Sequence, residues 1–213
     1  MGESKNSGKL VCKITKILIA KRYFAPLAFI CMVLFKKITD LQAWLSSHPQ
    51  AGKQLAFIPT MGALHEGHKS LITKALSDGA YTLCSIFVNP SQFNDKADFN
   101  AYPVTPGPDL ALLADAGCDV VFMPDTDEIY PEGTISESFD FGYLETILEG
   151  LHRPGHFKGV AQVVHRLLNI VQPDILYMGG KDYQQCMVIR ELLQQTGKSE
   201  DIRINICPTV REA

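Results

Sequence analysis

The stretch FIPTMGALHEGHKSL, residues 57–71, decides the fold because it runs from an apolar segment straight into a helical pattern. The segment QLAFIP, residues 54–59, predicts a short buried strand that Pro59 ends. The segment HKSLITKALSDG, residues 68–79, has apolar residues on one helical face and a closing glycine, which predicts a helix. The link between them holds His65 and His68 on either side of Gly67, so the chemistry of this region lies where a strand becomes a helix.

Outward from this stretch, strand and helix patterns alternate with short links. Thr39 is the predicted N-cap of a helix that precedes the first predicted strand. Alternation of this kind is typical of βαβ units and predicts an α/β fold, an open parallel sheet with helices on both faces. Further strands are predicted at residues 80–90, 119–124, 174–179 and 202–208, and further helices at 108–118, 159–171 and 184–197.

Composition sets the class of protein. The chain has 213 residues, 46% of them hydrophobic and 20% charged, which is typical of a globular protein with one domain, or with one domain and a fragment of another. A net charge of −3 argues against a nucleic-acid binder that works by neutralising many phosphates. Six scattered cysteines without a CxxC motif do not form a disulfide framework, and Cys84 and Cys118 are predicted to be core residues. We therefore expect a cytoplasmic protein.

The first 31 residues differ from the rest. A basic stretch leads into an apolar run of about a dozen residues, too short to span a bilayer, which takes about 20. The order resembles a secretory signal, but no small-residue cleavage site follows. We expect residues 1–31 to be an extension that is non-native or poorly ordered, and residues 32–213 to be the folded domain.

Polar residues cluster after three of the predicted strands, at 60–68, 89–93 and 179–185. In open parallel sheets, ligands bind at the carboxyl ends of the strands. These clusters are therefore predicted to meet in one crevice, although ordinary loop polarity is an alternative explanation.

The histidine pair allows three interpretations. His65 and His68 could ligate zinc, but a zinc site needs a third ligand and the spacing is not that of HExxH. Either one could instead be a hydrogen-bonded core histidine. The third interpretation is a phosphate site, because backbone N–H groups at a helix N-terminus and imidazole donors both stabilise phosphate oxygens. Neither a Walker-type loop nor a GxGxxG motif is present.

Other candidate side chains follow the later strands. Lys181, which opens a helix, is either solvated or a charge clamp on a phosphate. Gln92 and Gln185 are neutral amides that suit a small hydroxy acid, because they donate and accept hydrogen bonds without ion desolvation. Arg153 and His156 lie on a glycine-bounded loop that is either functional or an ordinary surface turn.

Six motifs follow one another along the chain: PTMGALHEGH (59–68), SIFVNPSQF (85–93), EIYPEGT (128–134), LEGLHRPGHFKGV (148–160), VQPDILYMGGKDYQQ (171–185) and CPTVREA (207–213). In this order they resemble the pantothenate synthetase family, also called pantoate–β-alanine ligases. They extend over nearly the whole chain from residue 32 onward, whereas HxGH alone indicates only the wider adenylyltransferase superfamily.

The resemblance implies a Rossmann-like domain that uses ATP and Mg²⁺ to adenylate pantoate, after which β-alanine attacks the pantoyl adenylate to give pantothenate and AMP. It implies that His68 is the general acid and that His65 and Lys181 are also catalytic, that Gln92 and Gln185 bind pantoate, and that Gln92 also lies near β-alanine. No protein metal site is predicted. The implied ATP-binding residues are Met61, Gly62, Ala63, Leu64, His65, Glu66, Gly67, His68, Gly179, Gly180, Lys181, Asp182 and Val210.

Because an ordinary imidazole titrates near neutrality, we expect the protonation of His68 to shape the pH–rate profile of such an enzyme.

Two departures from the family pattern bear on these expectations. Gly180 stands where an acidic or polar residue is expected, so only a backbone role is implied there. The family pattern also continues past residue 213 into a serine–serine–arginine loop and a C-terminal lid domain, so we expect the 213-residue chain to fold and bind weakly but to turn over poorly.

The resemblance further implies a homodimer. Alternative interpretations are another adenylyltransferase of the superfamily, which would need more cations around its acceptor, and a non-catalytic nucleotide-binding or dimerisation module.

Overall fold

The computed structural model describes residues 32–48, 52–93, 95–133 and 137–211. The expectation for residues 1–31 falls outside these ranges. None of the helices within them is both long and apolar enough to cross a membrane.

Six strands and eight α-helices alternate along the described chain. Three short 3₁₀ helices lie at Pro90–Gln92, Gly142–Glu145 and Gly180–Asp182. The strands are β1 (Val33–Phe35), β2 (Leu55–Thr60), β3 (Tyr81–Ile86), β4 (Val120–Phe122), β5 (Ile175–Gly179) and β6 (Arg203–Cys207). The helices are α1 (Ile38–Ser47), α2 (Glu66–Ser77), α3 (Lys96–Ala101), α4 (Pro106–Ala116), α5 (Thr126–Ile129), α6 (Leu148–His152), α7 (His156–Val171) and α8 (Tyr183–Gln195).

All six strands form one parallel sheet in the order β1-β4-β3-β2-β5-β6. The chain runs from β2 through β3 to β4 on one side and then returns to place β5 and β6 on the other side of β2. The order therefore reverses between β2 and β5, which is where doubly wound folds bind their ligands. The predicted open parallel α/β sheet, Rossmann-like in its strand order, is confirmed.

Helices cover both faces of the sheet, and alternate residues of each strand point to opposite faces. Each strand therefore contributes residues to two cores. In β2, Leu55 and Phe57 belong to the core that includes α1, α7 and α8, whereas Ala56 and Ile58 belong to the core that includes α2 and α4. α7 is the main cover of the first face, with eleven buried residues among sixteen. Because both faces of the sheet are covered, the segments in which we predicted strands are apolar throughout.

Three local predictions are corrected by the structure. Pro59 does not end strand β2, which continues to Thr60. Residues 33–35, which were not predicted as a strand, form an edge strand that pairs with β4. Helix α1 begins at Ile38 rather than after Thr39, and its N-cap Lys37 makes no side-chain cap. The Glu128 carboxylate satisfies this helix end instead, because it accepts the Ile38 N–H at 2.9 Å and pairs with the Lys37 ammonium at 2.7 Å.

Candidate functional site

A cleft of about 180 Å³ opens at the carboxyl ends of β2 and β5, at the reversal of strand order. Its polar lining comes from residues that are distant in sequence, and Val160, Val163, Val164 and Leu167 of α7 contribute much of its apolar lining. Of the predicted site residues, those that line this cleft are Met61, Gly62, His68, Gln92, Asp182 and Gln185. The predicted crevice thus exists in the fold, with the nucleotide and acid candidates around one space.

The histidine pair builds the N-terminus of α2. His65 is the N-cap, and its Nδ1 accepts the Gly67 N–H at 3.1 Å. The Nδ1 of His68 accepts the His65 N–H at 3.3 Å. Because a nitrogen that accepts carries no proton, each neutral ring holds its proton on Nε2. Both rings can therefore donate a hydrogen bond through Nε2 while their backbone links hold them in place.

Gly67 is explained by the His65 ring rather than by a positive φ. A Cβ at this position would lie 2.8 Å from His65 Cε1 and 2.9 Å from His65 Nδ1. The two imidazole rings are close neighbours, with centroids 4.2 Å apart and planes tilted by 49°. The glycine in HEGH therefore gives the His65 ring room to fold back over the first turn of α2.

His68 is a weaker base than an ordinary histidine. The pKa of His68 is lowered to about 4, mainly by burial and also by the neighbouring His65 and Lys181, while Asp109 opposes this shift. The ring is therefore neutral at physiological pH. Desolvation disfavours the imidazolium and so moves the titration of His68 below neutrality in the free protein. The expected effect of this group on the pH–rate profile stays a prediction. A neutral imidazole with its proton on Nε2 can stabilise negative charge as a hydrogen-bond donor.

The loop that carries this pair rests on a buried carboxylate that sequence analysis missed. Asp109, only 2% exposed, accepts the Ala63 N–H at 3.1 Å and the Leu64 N–H at 2.8 Å. The Thr105 hydroxyl donates to the same carboxylate at 3.2 Å. Gly62 and Ala63 have positive φ angles of 83° and 50°, and Asp109 satisfies the backbone of this unusual turn. Asp109 looks in sequence like an ordinary first-turn acid of α4, so no signal marked it.

Gln92 is held at the opposite wall of the cleft and is 6% exposed. Its Nε2 lies 2.6 Å from Met61 Sδ, and its backbone carbonyl is 2.9 Å from Nδ1 of His156. His156 is 4% exposed and begins α7, so the surface-turn interpretation of this residue is wrong. The His156 ring is buried because it packs inward from α7, where it contacts the backbone of the Gln92 segment.

The remaining predicted ATP residues lie outside this cleft. Lys181 lines an adjoining depression of about 410 Å³ between α6 and the start of α8, with Asp182 common to both spaces. The larger space is mostly apolar and lies away from the histidines, so we assign the site to the smaller cleft. Lys181 is close enough to His68 to lower its pKa. Val210 is 49% exposed after β6, and neither cavity includes it.

Gly180 has a structural explanation. A Cβ there would lie 3.0 Å from the Cys207 carbonyl oxygen and 3.5 Å from Ile206 Cγ2. Glycine therefore lets the end of β6 approach the turn after β5, where the β5 and β6 partners end at Gly179 and Cys207. The backbone role expected at this position remains a prediction.

The described residues hold no group of three or more His, Cys, Asp or Glu side chains that could bind a metal ion. Mg²⁺ does not need such a group, because it is usually bound by one or two carboxylates together with substrate phosphates. The Asp182 carboxylate, at the boundary of the two spaces, fits that requirement.

An open parallel sheet with a paired-histidine loop at its switch point defines a Rossmann-like protein of the nucleotidyltransferase type. The chain belongs to the pantoate-beta-alanine ligase family, whose model matches residues 33–213.

Curated relatives and solved structures agree with this membership. The chain is 46% identical over 181 residues to a pantothenate synthetase of Porphyromonas gingivalis and 47% identical over 182 residues to one of Vibrio parahaemolyticus. These matches cover 85% of this chain but only 63% and 60% of the relatives, so the chain spans somewhat less than two thirds of their length.

Two solved structures extend the comparison. A pantothenate synthetase from Thermus thermophilus has a TM-score of 0.77 at 40% identity, with 84% of this chain and 62% of that chain covered. A pantoate-beta-alanine ligase from Francisella tularensis, complexed with beta-gamma ATP and beta-alanine, has a TM-score of 0.80 at 41% identity, with 85% and 69% covered.

Proposed function

We propose that this chain binds ATP and pantoate in the cleft between β2 and β5 as part of an ATP-dependent ligase that condenses (R)-pantoate with β-alanine. In this reaction the pantoate carboxylate attacks the α-phosphorus of ATP, pyrophosphate leaves, and the amine of β-alanine then displaces AMP to form the amide of pantothenate. The observation that carries the proposal is the convergence of His68, Gln92 and Gln185 on one space.

The histidine loop supplies the donors that adenylation needs. Negative charge grows on the phosphate oxygens as pyrophosphate leaves, and fixed donors aimed at that charge lower the barrier. The Nε2–H groups of His65 and His68 and the N-terminus of α2 are such donors, because the Nδ1 atoms of both rings already accept backbone N–H groups. Lys181 adds a positive charge beside them. In this proposal His68 acts as a neutral hydrogen-bond donor to the phosphates, which differs from the general-acid role that the resemblance implies for it.

The acid half of the cleft suits pantoate. Gln92 and Gln185 offer amides that can bind hydroxyl and carboxylate groups, while Val160, Val163 and Val164 line the same space with apolar surface. A short branched hydroxy acid presents both kinds of group. Holding its carboxylate in line with the α-phosphorus makes the first step effectively intramolecular.

Mg²⁺ would fit this arrangement, because the Asp182 carboxylate could hold it together with the ATP phosphates. When bound, the ion would neutralise phosphate charge, while the residues described above orient the two substrates.

Three further proposals accompany this function. Residues 32–213 form one domain, which is supported by the single sheet to which every described strand belongs. The protein is cytoplasmic, which is supported by buried free thiols at Cys84, Cys118, Cys186 and Cys207. It is a homodimer, as the family resemblance implies, and sedimentation equilibrium would measure this.

Calorimetric titration of the 213-residue chain with ATP–Mg²⁺ and with (R)-pantoate tests the function. We expect both to bind, and Gln185→Leu to weaken pantoate binding at least about tenfold with little effect on ATP, because a buried polar group of the ligand loses its partner. Gln195→Leu, on the same helix but hydrogen-bonded to Asp140 and Glu191, is the matched control. Failure of the wild-type chain to bind either ligand would overturn the proposal.

A further inference from the structure

The backbone around Gln92 is clamped to the first turn of α7. Asn89, fully buried, donates through Nδ2 to the Gly159 carbonyl at 3.1 Å. Gly159 is in turn pressed against the segment, since a Cβ there would lie 2.4 Å from the Ser91 carbonyl oxygen. The His156 ring makes the third link, at 2.9 Å to the Gln92 carbonyl oxygen. Three contacts within one helical turn thus fix the short 3₁₀ helix that ends in Gln92.

The tautomer of His156 follows from its partners. A carbonyl oxygen only accepts, so Nδ1 of His156 must carry the proton. The Nε2 atom lies 3.2 Å from Nη1 of Arg153, and a guanidinium only donates, so Nε2 holds the lone pair. Arg153 Nη1 is itself held by the Glu149 carboxylate at 2.7 Å. Burial lowers the pKa of His156, which keeps the ring neutral as this pattern requires.

The chain of contacts therefore runs from a partly exposed carboxylate to the backbone of an acid-binding residue. Its order is Glu149, Arg153, His156 and the Gln92 carbonyl, and it passes from α6 to α7 to the wall of the cleft. None of its first three members lines the cleft, and the contact of this chain that reaches the cleft wall is the one from His156 to Gln92. The Gln92 amide lies 2.6 Å from Met61 Sδ at the end of a flexible side chain, so the direction of the amide depends on where the backbone is held.

We propose that His156 is a positioning residue that fixes the Gln92 backbone so that its amide faces the acid-binding part of the cleft, and that Glu149 and Arg153 hold His156 in the tautomer that can donate to Gln92. The inference rests on the proposed function for the identity of the ligand. The positioning itself rests on the three hydrogen bonds that join Glu149 to Arg153, Arg153 to His156, and His156 to the Gln92 carbonyl.

Titration of the chain with (R)-pantoate and with ATP–Mg²⁺ tests this. His156→Leu removes the donor, and we expect pantoate affinity to fall about tenfold while ATP affinity changes less than about twofold, as for one lost hydrogen bond that acts on one ligand. His156→Asn places an amide N–H near the position of Nδ1–H, so it is expected to restore pantoate affinity to within about threefold. His165→Leu, which removes another buried histidine of α7 remote from Gln92, is the control for general loosening of the helix.

If His156→Leu does not unfold cooperatively, and so does not form a folded domain, Arg153→Met is tested in its place. It leaves the buried ring in place but frees Nε2, so the ring can take the other tautomer, and pantoate affinity should fall about threefold. Nitrogen-15 shifts of the His156 ring give a separate readout, which we expect to show a protonated Nδ1 in the wild type and a mixture of tautomers in Arg153→Met.

The outcomes separate the two proposals. A wild-type chain that binds pantoate, together with variants that bind it equally well, overturns the positioning role and leaves the function standing. A protonated Nε2 in the wild type also overturns that role. A wild-type chain that binds neither ligand overturns the function, and the role in aiming Gln92 at the acid is lost with it.

Discussion

The backbone N–H of His65 donates to Nδ1 of His68 at 3.3 Å, so the residue that caps α2 also fixes the tautomer of the residue one turn further on. A second bond of this kind is donated by the Gly67 N–H to Nδ1 of His65. Together these bonds satisfy two N–H groups at the helix start, as a capping box does with different side chains. The rings that cap the helix are thus the same two rings that we propose as phosphate donors.

Loss of the His68 donor should slow adenylation more than it weakens nucleotide binding. We expect His68→Ala to lower the single-turnover rate of pyrophosphate release about 100- to 1000-fold relative to the wild-type chain, the usual effect of losing one preorganised donor. ATP affinity should change less than about tenfold. His68→Gln, which retains an N–H at a similar reach, should recover part of the rate.

The control is His48→Ala, because His48 is an exposed histidine at the end of α1 that stacks on Trp44. A His68→Ala rate within about twofold of the wild-type rate would contradict the assigned donor role.

The lowered pKa of His68 predicts a pH dependence of stability. Its pKa is about 4 in the folded chain against an ordinary value of 6.5, so the unfolded chain binds more protons between these two pH values. The free energy of unfolding should therefore decrease as pH falls from about 6.5 to 4. In His68→Gln this decrease should be shallower than in the wild type. It should not vanish, because the other histidines still contribute to it.

Urea unfolding at several pH values measures the difference, and a ring titration by NMR gives the pKa directly. An imidazole of His68 that titrates between pH 6 and 7 in the free chain would show that the ring is not desolvated as the structure implies.

Removal of the Asp109 carboxylate should release the loop that carries the histidines. In Asp109→Ala, the Ala63 and Leu64 N–H groups lose their acceptors, and we expect the free energy of unfolding to fall by about 2–4 kcal/mol. ATP affinity should fall as well, because the loop conformation is no longer held. Asp109→Asn keeps one acceptor oxygen, so its stability and its ATP affinity should lie between those of the wild type and those of Asp109→Ala.

Asp115→Asn is the matched control for these variants. Asp115 is on the same helix but forms a surface ion pair with Lys69, so its loss should cost less than about 1 kcal/mol. Equal effects of the Asp109 and Asp115 variants in denaturant titrations would refute the special role of the buried carboxylate.

Gly67→Ala should fail to give the usual gain from replacing a helical glycine. That exchange ordinarily raises the free energy of unfolding by up to about 1 kcal/mol. Here the new methyl group collides with the His65 ring, so we expect no gain in stability and an ATP affinity about tenfold lower, since the cap and one donor are displaced.

Thr73→Ala, at an exposed position of α2, provides the comparison. It should stabilise the chain by a few tenths of a kcal/mol without a change in ATP binding. Thermal unfolding and calorimetry measure both variants, and a Gly67→Ala chain that is more stable and binds ATP normally would count against the ring geometry.

Sequence analysis predicted the sheet and the location of the cleft because both follow from local patterns. Apolar strands and amphipathic helices are written in neighbouring residues, and the rule that ligands bind at strand ends placed residues 60–68 and 179–185 together. The edge strand β1 was missed because three residues at the end of an apolar run carry no periodicity.

The supports of the site were not predictable, because each depends on a partner far along the chain. Asp109 meets Leu64 across 45 positions, His156 meets Gln92 across 64, and Glu128 replaces Thr39 as the cap of α1 by a contact across 90. A lone acid or histidine in a sequence gives no sign of such a partner. The individual roles of the predicted site residues stay predictions until the variants above are measured.

The central position of β2 has a consequence for folding. One wall of the cleft comes from β3 and the segment after it, whereas the opposite wall comes from β5, which pairs with the other edge of β2 only after α7 has crossed the sheet. A partly folded chain with only β1 to β4 assembled would have no complete binding space. Ligand would then bind only the finished domain and raise its free energy of unfolding by mass action, by about 2.7 kcal/mol at a ligand concentration a hundred times the dissociation constant.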